Sequence, residues 1–222
     1  MPNQATQSRE GQLKITEIFY SLQGEARDAG RPTVFIRLTG CPLRCVYCDS
    51  EYAFYGGQWQ QIDQVMEQVA SYKTPYVCVT GGEPLAQKRC QDLLKRLCEG
   101  GYQVSLETSG AMDISQVDER VSRVLDIKTP ASGEVERNLW ANLDALTAHD
   151  QVKFVLCSRE DYDWAVEEIR SRGMDEKQDI LLSPAWGQVK PSDLAEWVLE
   201  DQLNVRVQLQ LHKLLWGDVP GK

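Results

Sequence analysis

Apolar and polar residues follow two patterns along the chain. Short apolar runs rich in β-branched residues predict strands, and they cover residues 33–38, 76–79, 102–106, 124–127, 152–156, 180–182 and 205–211. Apolar residues spaced three and four apart predict helices over residues 60–72, 87–99, 113–122, 139–146, 159–172 and 193–200. Strands that alternate with helices predict a parallel sheet with right-handed crossovers.

Unusual polar or glycine-rich segments follow nearly every predicted strand at its C-terminal end. These segments are Gly40-Cys41, 80–84, 107–110, Lys128, Ser183-Pro184 and His212. In (β/α) barrels many strands contribute to one functional mouth at this end, whereas a doubly wound sheet offers a single crevice. The sequence therefore predicts an α/β fold, a partial (β/α) barrel of about six or seven mostly parallel strands.

Size and charge limit the class of partner. The 222 residues suffice for one large domain, which we expect over residues 13–222 after a flexible leader over residues 1–12. The net charge is −9 without a Lys/Arg cluster, which argues against nucleic acid. No apolar run approaches the length of a membrane span, and the polar N-terminus has no signal-peptide core. We therefore expect a cytoplasmic protein that acts on a small molecule and not on a membrane.

Three of the seven cysteines lie in one loop after the first predicted strand, Cys41 and Cys45 separated by three residues and Cys45 and Cys48 by two. Thiolates suit iron–sulfur clusters or zinc. A structural zinc site needs a fourth Cys or His at a short spacing, and His149 and His212 lie far downstream. Three thiolates leave one iron of a four-iron cluster open to a further ligand.

The other cysteines are interpreted as small buried hydrophobes. They stand alone in predicted helices or strands, at Cys78, Cys90, Cys98 and Cys157.

The segment Thr80-Gly81-Gly82-Glu83-Pro84 follows the second predicted strand, and its two glycines allow a backbone to approach a ligand closely. Together with the cysteine loop and Tyr47 before Cys48, it resembles the radical S-adenosylmethionine (SAM) superfamily. The resemblance implies that Cys41, Cys45 and Cys48 hold a [4Fe–4S] cluster whose open iron binds SAM. It also implies that one-electron cleavage of SAM gives a 5′-deoxyadenosyl radical, which abstracts hydrogen from the substrate.

Residues at the strand ends are expected to bind SAM. They are Tyr47, Cys48, Asp49, Gly82, Glu83, Ser109, Asp126, Ile127, Lys128, Ser183, Pro184, Ala185 and Trp186. Glu83 would meet the methionine end, Ser109 and Lys128 the ribose and carboxylate ends, and Trp186 would offer a face for stacking on adenine. The alternative for those last three is that they are ordinary polar or aromatic loop residues.

The chain also resembles a narrower family. Residues 17–26 (EIFYSLQGEA), 35–41 (FIRLTGC), 48–50 (CDS) and 208–213 (QLQLHK) are similar to the 7-carboxy-7-deazaguanine synthase (QueE) family, and the similarity runs from about Leu13 to Trp216. The resemblance implies conversion of 6-carboxy-5,6,7,8-tetrahydropterin into 7-carboxy-7-deazaguanine with loss of ammonia, a step towards queuosine and related deazapurines.

The same resemblance implies a substrate site and a Mg²⁺ site. The substrate residues would be Leu22, Gln23, Gly24, Arg37, Thr80 and His212. Arg37 would be the two-pronged donor to the substrate carboxylate, and Ser50 would bind Mg²⁺ where the family usually has Thr. Ala26 stands where the family usually has Gly. We expect flavodoxin or ferredoxin as electron donor, and a homodimer.

Two alternatives stay open. One is a small glycyl-radical-enzyme activase, which would act on a protein partner; Arg37 and the segments 22–25 and 212–213 argue against it. The other is a non-catalytic module that uses Cys41, Cys45 and Cys48 to bind a metal structurally; the segment 81–84 argues against that.

Overall fold

The computed structural model describes residues 11–217, 219 and 221, so residues 1–10 of the expected leader lie outside the described residues. The strands are β1 Gln12–Leu22, β2 Pro32–Leu38, β3 Gln58–Gln61, β4 Tyr76–Gly81, β5 Gln103–Thr108, β6 Ser122–Ile127, β7 Gln151–Leu156, β8 Asp179–Pro184 and β9 Arg206–Val207. The α-helices are α1 Ile62–Ala70, α2 Cys90–Glu99, α3 Arg159–Arg172, α4 Pro191–Glu200 and α5 Leu211–Trp216. The prediction of a single domain stays a prediction.

All nine strands form one sheet in the order β3-β1-β2-β4-β5-β6-β7-β8-β9. From β2 through β4 to β9, neighbouring strands are parallel; β1 is antiparallel to both of its neighbours. Within the described residues β3 and β9 are the sheet edges and do not pair with each other, so the sheet stays open. The predicted α/β fold, a partial barrel of mostly parallel strands, is confirmed.

Two strands, β1 and β3, were not predicted. In β1 the pairing with β2 shifts register between Ile15 and Glu17, so Thr16 is bulged. A bulge interrupts the alternation by which a strand is identified from sequence. The short β3 is a mostly exposed edge strand with the sequence QWQQ, and it lacks an alternating apolar pattern.

The helix predicted over residues 113–122 is wrong. Ile114, Val117 and Val121 are buried at a helix-like spacing, but the chain makes isolated turns instead. The side chain of Asp113 accepts a hydrogen bond from Ser115 N at 2.8 Å, and that of Asp118 accepts one from Arg120 N at 3.0 Å. Aspartate side chains that bond to nearby backbone groups in this way compete with helix formation.

Two further predictions near the site are corrected. Residues 139–146 contain the 3₁₀ helix Trp140–Ala145 instead of an α-helix, because the buried Asn142 side chain bonds to the preceding connection at Gly110 O, Met112 O and Ile114 N. The strand predicted over 205–211 is only Arg206–Val207. The chain then leaves the sheet and forms α5.

The remaining predicted elements lie where the sequence indicated. The clearest is α3, which begins after Ser158, whose side chain accepts from Asp161 N, and ends at Gly173 with φ 60°. Apolar side chains of the sheet and helices form a large buried core, and Ala26, Val124 and Leu181 form a small second cluster. No helix in the described part of the chain is long and apolar enough to cross a membrane.

Candidate active site

A cavity of about 550 Å³ lies at the C-terminal ends of the parallel strands. Its wall takes side chains from β2, β4, β5, β6 and β7, from the loop that carries the three clustered cysteines, and from α5. Parallel strands place their carboxyl ends at one edge of a sheet, which is why segments far apart in sequence meet here.

The cysteine loop is held in place by backbone contacts. Val46 N donates to Ser132 O at 3.0 Å, and Glu83 N donates to Gly40 O at 2.8 Å. A Cβ added at Gly82 would stand 2.4 Å from Gly40 O and 2.8 Å from Cys41 Cβ, so only glycine permits this approach. The glycine pair therefore also packs against the cysteine loop, in addition to leaving backbone open to the cavity.

The donor set fits an iron–sulfur cluster. Cys41, Cys45 and Cys48 are free thiols that line the cavity. Among the described residues, no group of three His, Cys, Asp or Glu side chains is arranged as the ligand set of one metal ion. A four-iron cluster is larger than one ion and takes its thiolates from further apart. Burial raises the pKa of Cys45 to about 11, so iron binding must displace protons.

Most residues expected at the SAM site line the cavity. They are Tyr47, Cys48, Asp49, Gly82, Ser109, Asp126, Lys128, Ala185 and Trp186. Lys128 Nζ lies 3.0 Å from Asp126 Oδ1; although burial opposes it, Asp126 holds the pKa of Lys128 well above its usual value. The Tyr47 hydroxyl is buried and has no hydrogen-bond partner within the described residues, which leaves it available to a ligand.

Four residues expected at the SAM site do not line the cavity: Glu83, Ile127, Ser183 and Pro184. Glu83 is fully buried, and its carboxylate accepts hydrogen bonds from Ser109 N at 2.7 Å, Leu85 N at 2.9 Å and Thr108 Oγ1 at 3.0 Å. It supports the wall from behind, and the cavity face at this point is formed by Gly81 and Gly82.

All six residues expected at the substrate site line the cavity: Leu22, Gln23, Gly24, Arg37, Thr80 and His212. Arg37 and Thr80 are register partners on β2 and β4. A Cβ at Gly24 would stand 2.0 Å from His212 Nδ1, so a larger residue there would displace this ring. Burial lowers the pKa of His212, which keeps its imidazole neutral near neutral pH.

Among the described residues, four charged residues of the cavity wall were not predicted as site residues: Glu25, Glu107, Lys153 and Lys213. Lys153 pairs with Glu25, which also accepts from Gln210 Nε2 at 2.9 Å. Burial raises the pKa of Glu107 to about 7, with Glu25 and Asp126 adding to the effect and Lys153 opposing it. Lys153 stands among apolar neighbours in a predicted strand, a signal that could have found it. Glu107 belongs to the polar segment 107–110 that follows the predicted strand 102–106.

Two further observations concern contacts in the cysteine loop and the position of Cys78. Ser50 lines the cavity, and its Oγ donates to Asp49 Oδ1 at 2.9 Å. Asp49 Oδ2 pairs with Lys213 Nζ at 2.8 Å; although burial opposes it, Lys213 holds the pKa of Asp49 well below its usual range. Cys78 is buried as expected, but it also lines the cavity.

Comparisons with known proteins agree with this site. The family model of the Radical SAM superfamily matches residues 35–185. A 7-carboxy-7-deazaguanine synthase of Koribacter versatilis is 44% identical over 219 residues, which cover 92% of this chain and 97% of that protein. One from Chlorobaculum tepidum is 46% identical over 213 residues, covering 95% and 97%.

The fold agrees as well. The crystal structure of QueE from Escherichia coli matches with a TM-score of 0.76 and 23% identity, over 90% of this chain and 95% of that one. The cysteine loop, the glycine pair and the length of the similarity together leave one assignment. The chain belongs to the 7-carboxy-7-deazaguanine synthase family of the radical SAM superfamily.

Proposed function

We propose that this protein converts 6-carboxy-5,6,7,8-tetrahydropterin into 7-carboxy-7-deazaguanine with loss of ammonia. The observation that carries the proposal is that the three free thiols line the same cavity as Arg37, Gly24 and His212. Family membership supports the same reaction. A protein-activating enzyme would need a site open to a polypeptide, and nothing in this cavity favours one.

Cys41, Cys45 and Cys48 hold the [4Fe–4S] cluster in this proposal. When bound, the cluster and SAM supply hydrogen-atom abstraction. Asp126 and Lys128 form an ion pair. Their opposite charges suit the zwitterionic amino acid end of SAM. Trp186, which is 50% exposed, offers its face to the adenine at the cavity mouth, and the Tyr47 hydroxyl can bond to the same cofactor.

The expected substrate residues of the same cavity bind the pterin in this proposal. Arg37 donates from its terminal nitrogens to the carboxylate, since a planar guanidinium matches a carboxylate with two parallel hydrogen bonds. Glu107 faces the cavity, and its carboxylate suits the N–H groups of the aminopyrimidine edge. His212, in its neutral form, packs on Gly24, and its imidazole limits the position of the pterin ring.

We place Mg²⁺ at Ser50. Its hydroxyl oxygen is a hard ligand, and Mg²⁺ takes few protein ligands and keeps waters or substrate oxygens for the rest. The bond to Asp49 orients Oγ and leaves its lone pairs free. Added Mg²⁺ should raise turnover in the parent protein and in Ser50→Thr, and stimulate Ser50→Ala little. Stimulation that is undiminished in Ser50→Ala would move the metal elsewhere.

The electron donor is flavodoxin or ferredoxin, and the enzyme is a cytoplasmic homodimer, in this proposal. Val46 between the second and third cysteines is 76% exposed, so a cluster held by these cysteines would lie close to a surface that a donor can approach. SAM cleavage driven by each donor, and sedimentation velocity of the reconstituted protein, test these expectations.

The decisive experiment is anaerobic reconstitution with iron and sulfide, followed by SAM, the pterin and a reductant. Mass spectrometry should show 7-carboxy-7-deazaguanine, and an enzymatic assay should show equimolar ammonia. Cys45→Ala should lose the cluster absorbance and all product. Cys98→Ala, in α2 and outside the cavity lining, should keep both, because Cys98 is absent from the expected ligand set.

The outcomes separate the candidate functions. SAM cleavage without conversion of the pterin would overturn the substrate assignment while keeping the radical chemistry. Normal iron content in Cys45→Ala would overturn the cluster assignment itself.

A further inference from the structure

The bulge at Thr16 changes which face of β1 carries Glu17. Leu13 and Ile15 are buried, and Ile15 is the register partner of Leu38 on the core face. In a regular strand Glu17 would follow them to that face, since side chains alternate. The register shift makes Glu17 the partner of Arg37 instead. Bulges next to functional sites commonly re-aim a side chain in this way.

The re-aimed carboxylate holds one particular nitrogen of Arg37. Arg37 Nε donates to Glu17 Oε1 at 2.7 Å, with the two side chains 15% and 25% exposed. Within the described residues the terminal nitrogens of Arg37 make no hydrogen bond, and Arg37 lines the cavity. The side edge of the guanidinium is therefore occupied, and the end with two parallel N–H groups is free.

Glu17 is itself fixed from the cysteine loop side. Tyr52, two residues after Ser50, donates its hydroxyl to Glu17 Oε1 at 2.8 Å. The guanidinium of Arg37 lies over the rings of Tyr52 and Phe19, at 5.6 and 5.8 Å from their centroids. Arg37 is thus held by a charged hydrogen bond and by two rings, which removes most of its rotamer freedom before any ligand arrives.

We propose that Glu17 is a positioning residue that sets Arg37 to bind a carboxylate end-on, and that the Glu17–Arg37–Tyr52 arrangement selects pterins that carry the carboxylate. This proposal rests on the proposed function. Two effects of Glu17 oppose each other: its negative charge repels the substrate carboxylate, and its hydrogen bond orients the arginine. Because Nε faces away from the ligand edge, orientation outweighs repulsion.

The test measures binding, so that it does not depend on turnover. Calorimetry on the reconstituted, SAM-loaded enzyme without reductant gives Kd for the 6-carboxy pterin and for the same tetrahydropterin without the carboxylate. Glu17→Ala should raise Kd for the 6-carboxy pterin about tenfold or more. It should leave Kd for the pterin without the carboxylate unchanged. Glu17→Gln keeps an acceptor for Nε, so its loss should be about threefold or less.

Controls separate positioning from general loosening. Tyr52→Phe keeps the ring and removes one bond to Glu17, and it should give a small loss for the carboxylated ligand alone. Glu119→Ala removes an exposed acid elsewhere and should change neither Kd. The affinity for SAM should equal that of the parent in every variant, which also shows that each variant is folded.

Equal weakening towards both pterins, or unchanged affinity for the carboxylated pterin in Glu17→Ala, would overturn the proposal. So would tighter binding in Glu17→Gln, since repulsion would then be the larger effect. If the parent enzyme binds the carboxylated pterin selectively but does not convert it, the proposed function fails and the role of Glu17 stands.

Discussion

Glu107 is an acid whose surroundings oppose its charge. It projects from β5 into the cavity wall, where burial, Glu25 and Asp126 raise its pKa to about 7 although Lys153 opposes them. Within the described part of the chain no group hydrogen-bonds to its carboxylate. A polar group left without a partner in a cavity wall is costly to the fold, and a ligand that donates to it recovers part of that cost.

We expect the ionisation of Glu107 to set the pH dependence of substrate capture. Below its pKa the group is neutral and loses its capacity as a charged acceptor, so kcat/KM for the pterin should rise with pH through about 7 and level off by about pH 8. Glu107→Gln should lower kcat/KM at about pH 8 by about tenfold and remove the rise. The measurement is kcat/KM against pH, with SAM binding followed in parallel.

Asp92→Asn, on an exposed acid of α2, serves as the control and should keep the parent profile. A rise that persists in Glu107→Gln with the same midpoint would assign the ionisation to another group.

Single residues could be predicted where their type conflicts with their surroundings. Arg37 was expected from the family motif, and its charge among apolar residues in a strand favoured that role. Lys153 carries the same strand signal, whereas Glu107 lies just after its predicted strand. Their partners could not be found this way, because Glu25 reaches Lys153 over a separation that only the fold closes. Glu83 shows the opposite limit: the motif identified the residue, but its carboxylate serves the backbone of Leu85 and Ser109.

Elements were predictable where local pattern and tertiary packing agree. In α3 the cap, the periodicity and the final Gly173 all indicate the same ends. The connections 113–122 and 139–146 have helix-like apolar spacing, yet aspartate turns and the Asn142 side chain hold their backbone in other forms. The aspartate bonds are local and compete with helix formation. Asn142 instead bonds to backbone 32 and 30 residues away, which the local pattern cannot show.

At the scale of the whole molecule, the segment that follows the edge strand β9 is linked to the segment that follows β1. Leu211 N donates to Gly24 O at 3.0 Å, and Gln210 Nε2 donates to Glu25 Oε1. Both contacts link the start of α5 to the segment after β1. Lys213, two residues after Leu211, forms an ion pair with Asp49 in the cysteine loop. The segment 210–213 therefore contacts Gly24, which is expected at the substrate site, and Asp49, which is expected at the SAM site.

We expect Lys213→Met to weaken binding at both the SAM site and the substrate site. Lys213 is 6% exposed and pairs with Asp49 at 2.8 Å, and methionine keeps much of its length while leaving Asp49 without this partner. Losing one member of a partly buried pair costs about 1–3 kcal/mol, seen as a lower free energy of unfolding in urea. Because Asp49 follows Cys48 and His212 precedes Lys213, Kd for SAM and Kd for the pterin should both rise.

Two control variants accompany this measurement. Lys213→Arg should restore most of the stability and most of both affinities. Lys73→Met, at an exposed lysine, should change none of the three quantities. A Lys213→Met protein that is less stable but binds both ligands as the parent does would limit the pair to a structural role and would show that α5 does not link the two sites.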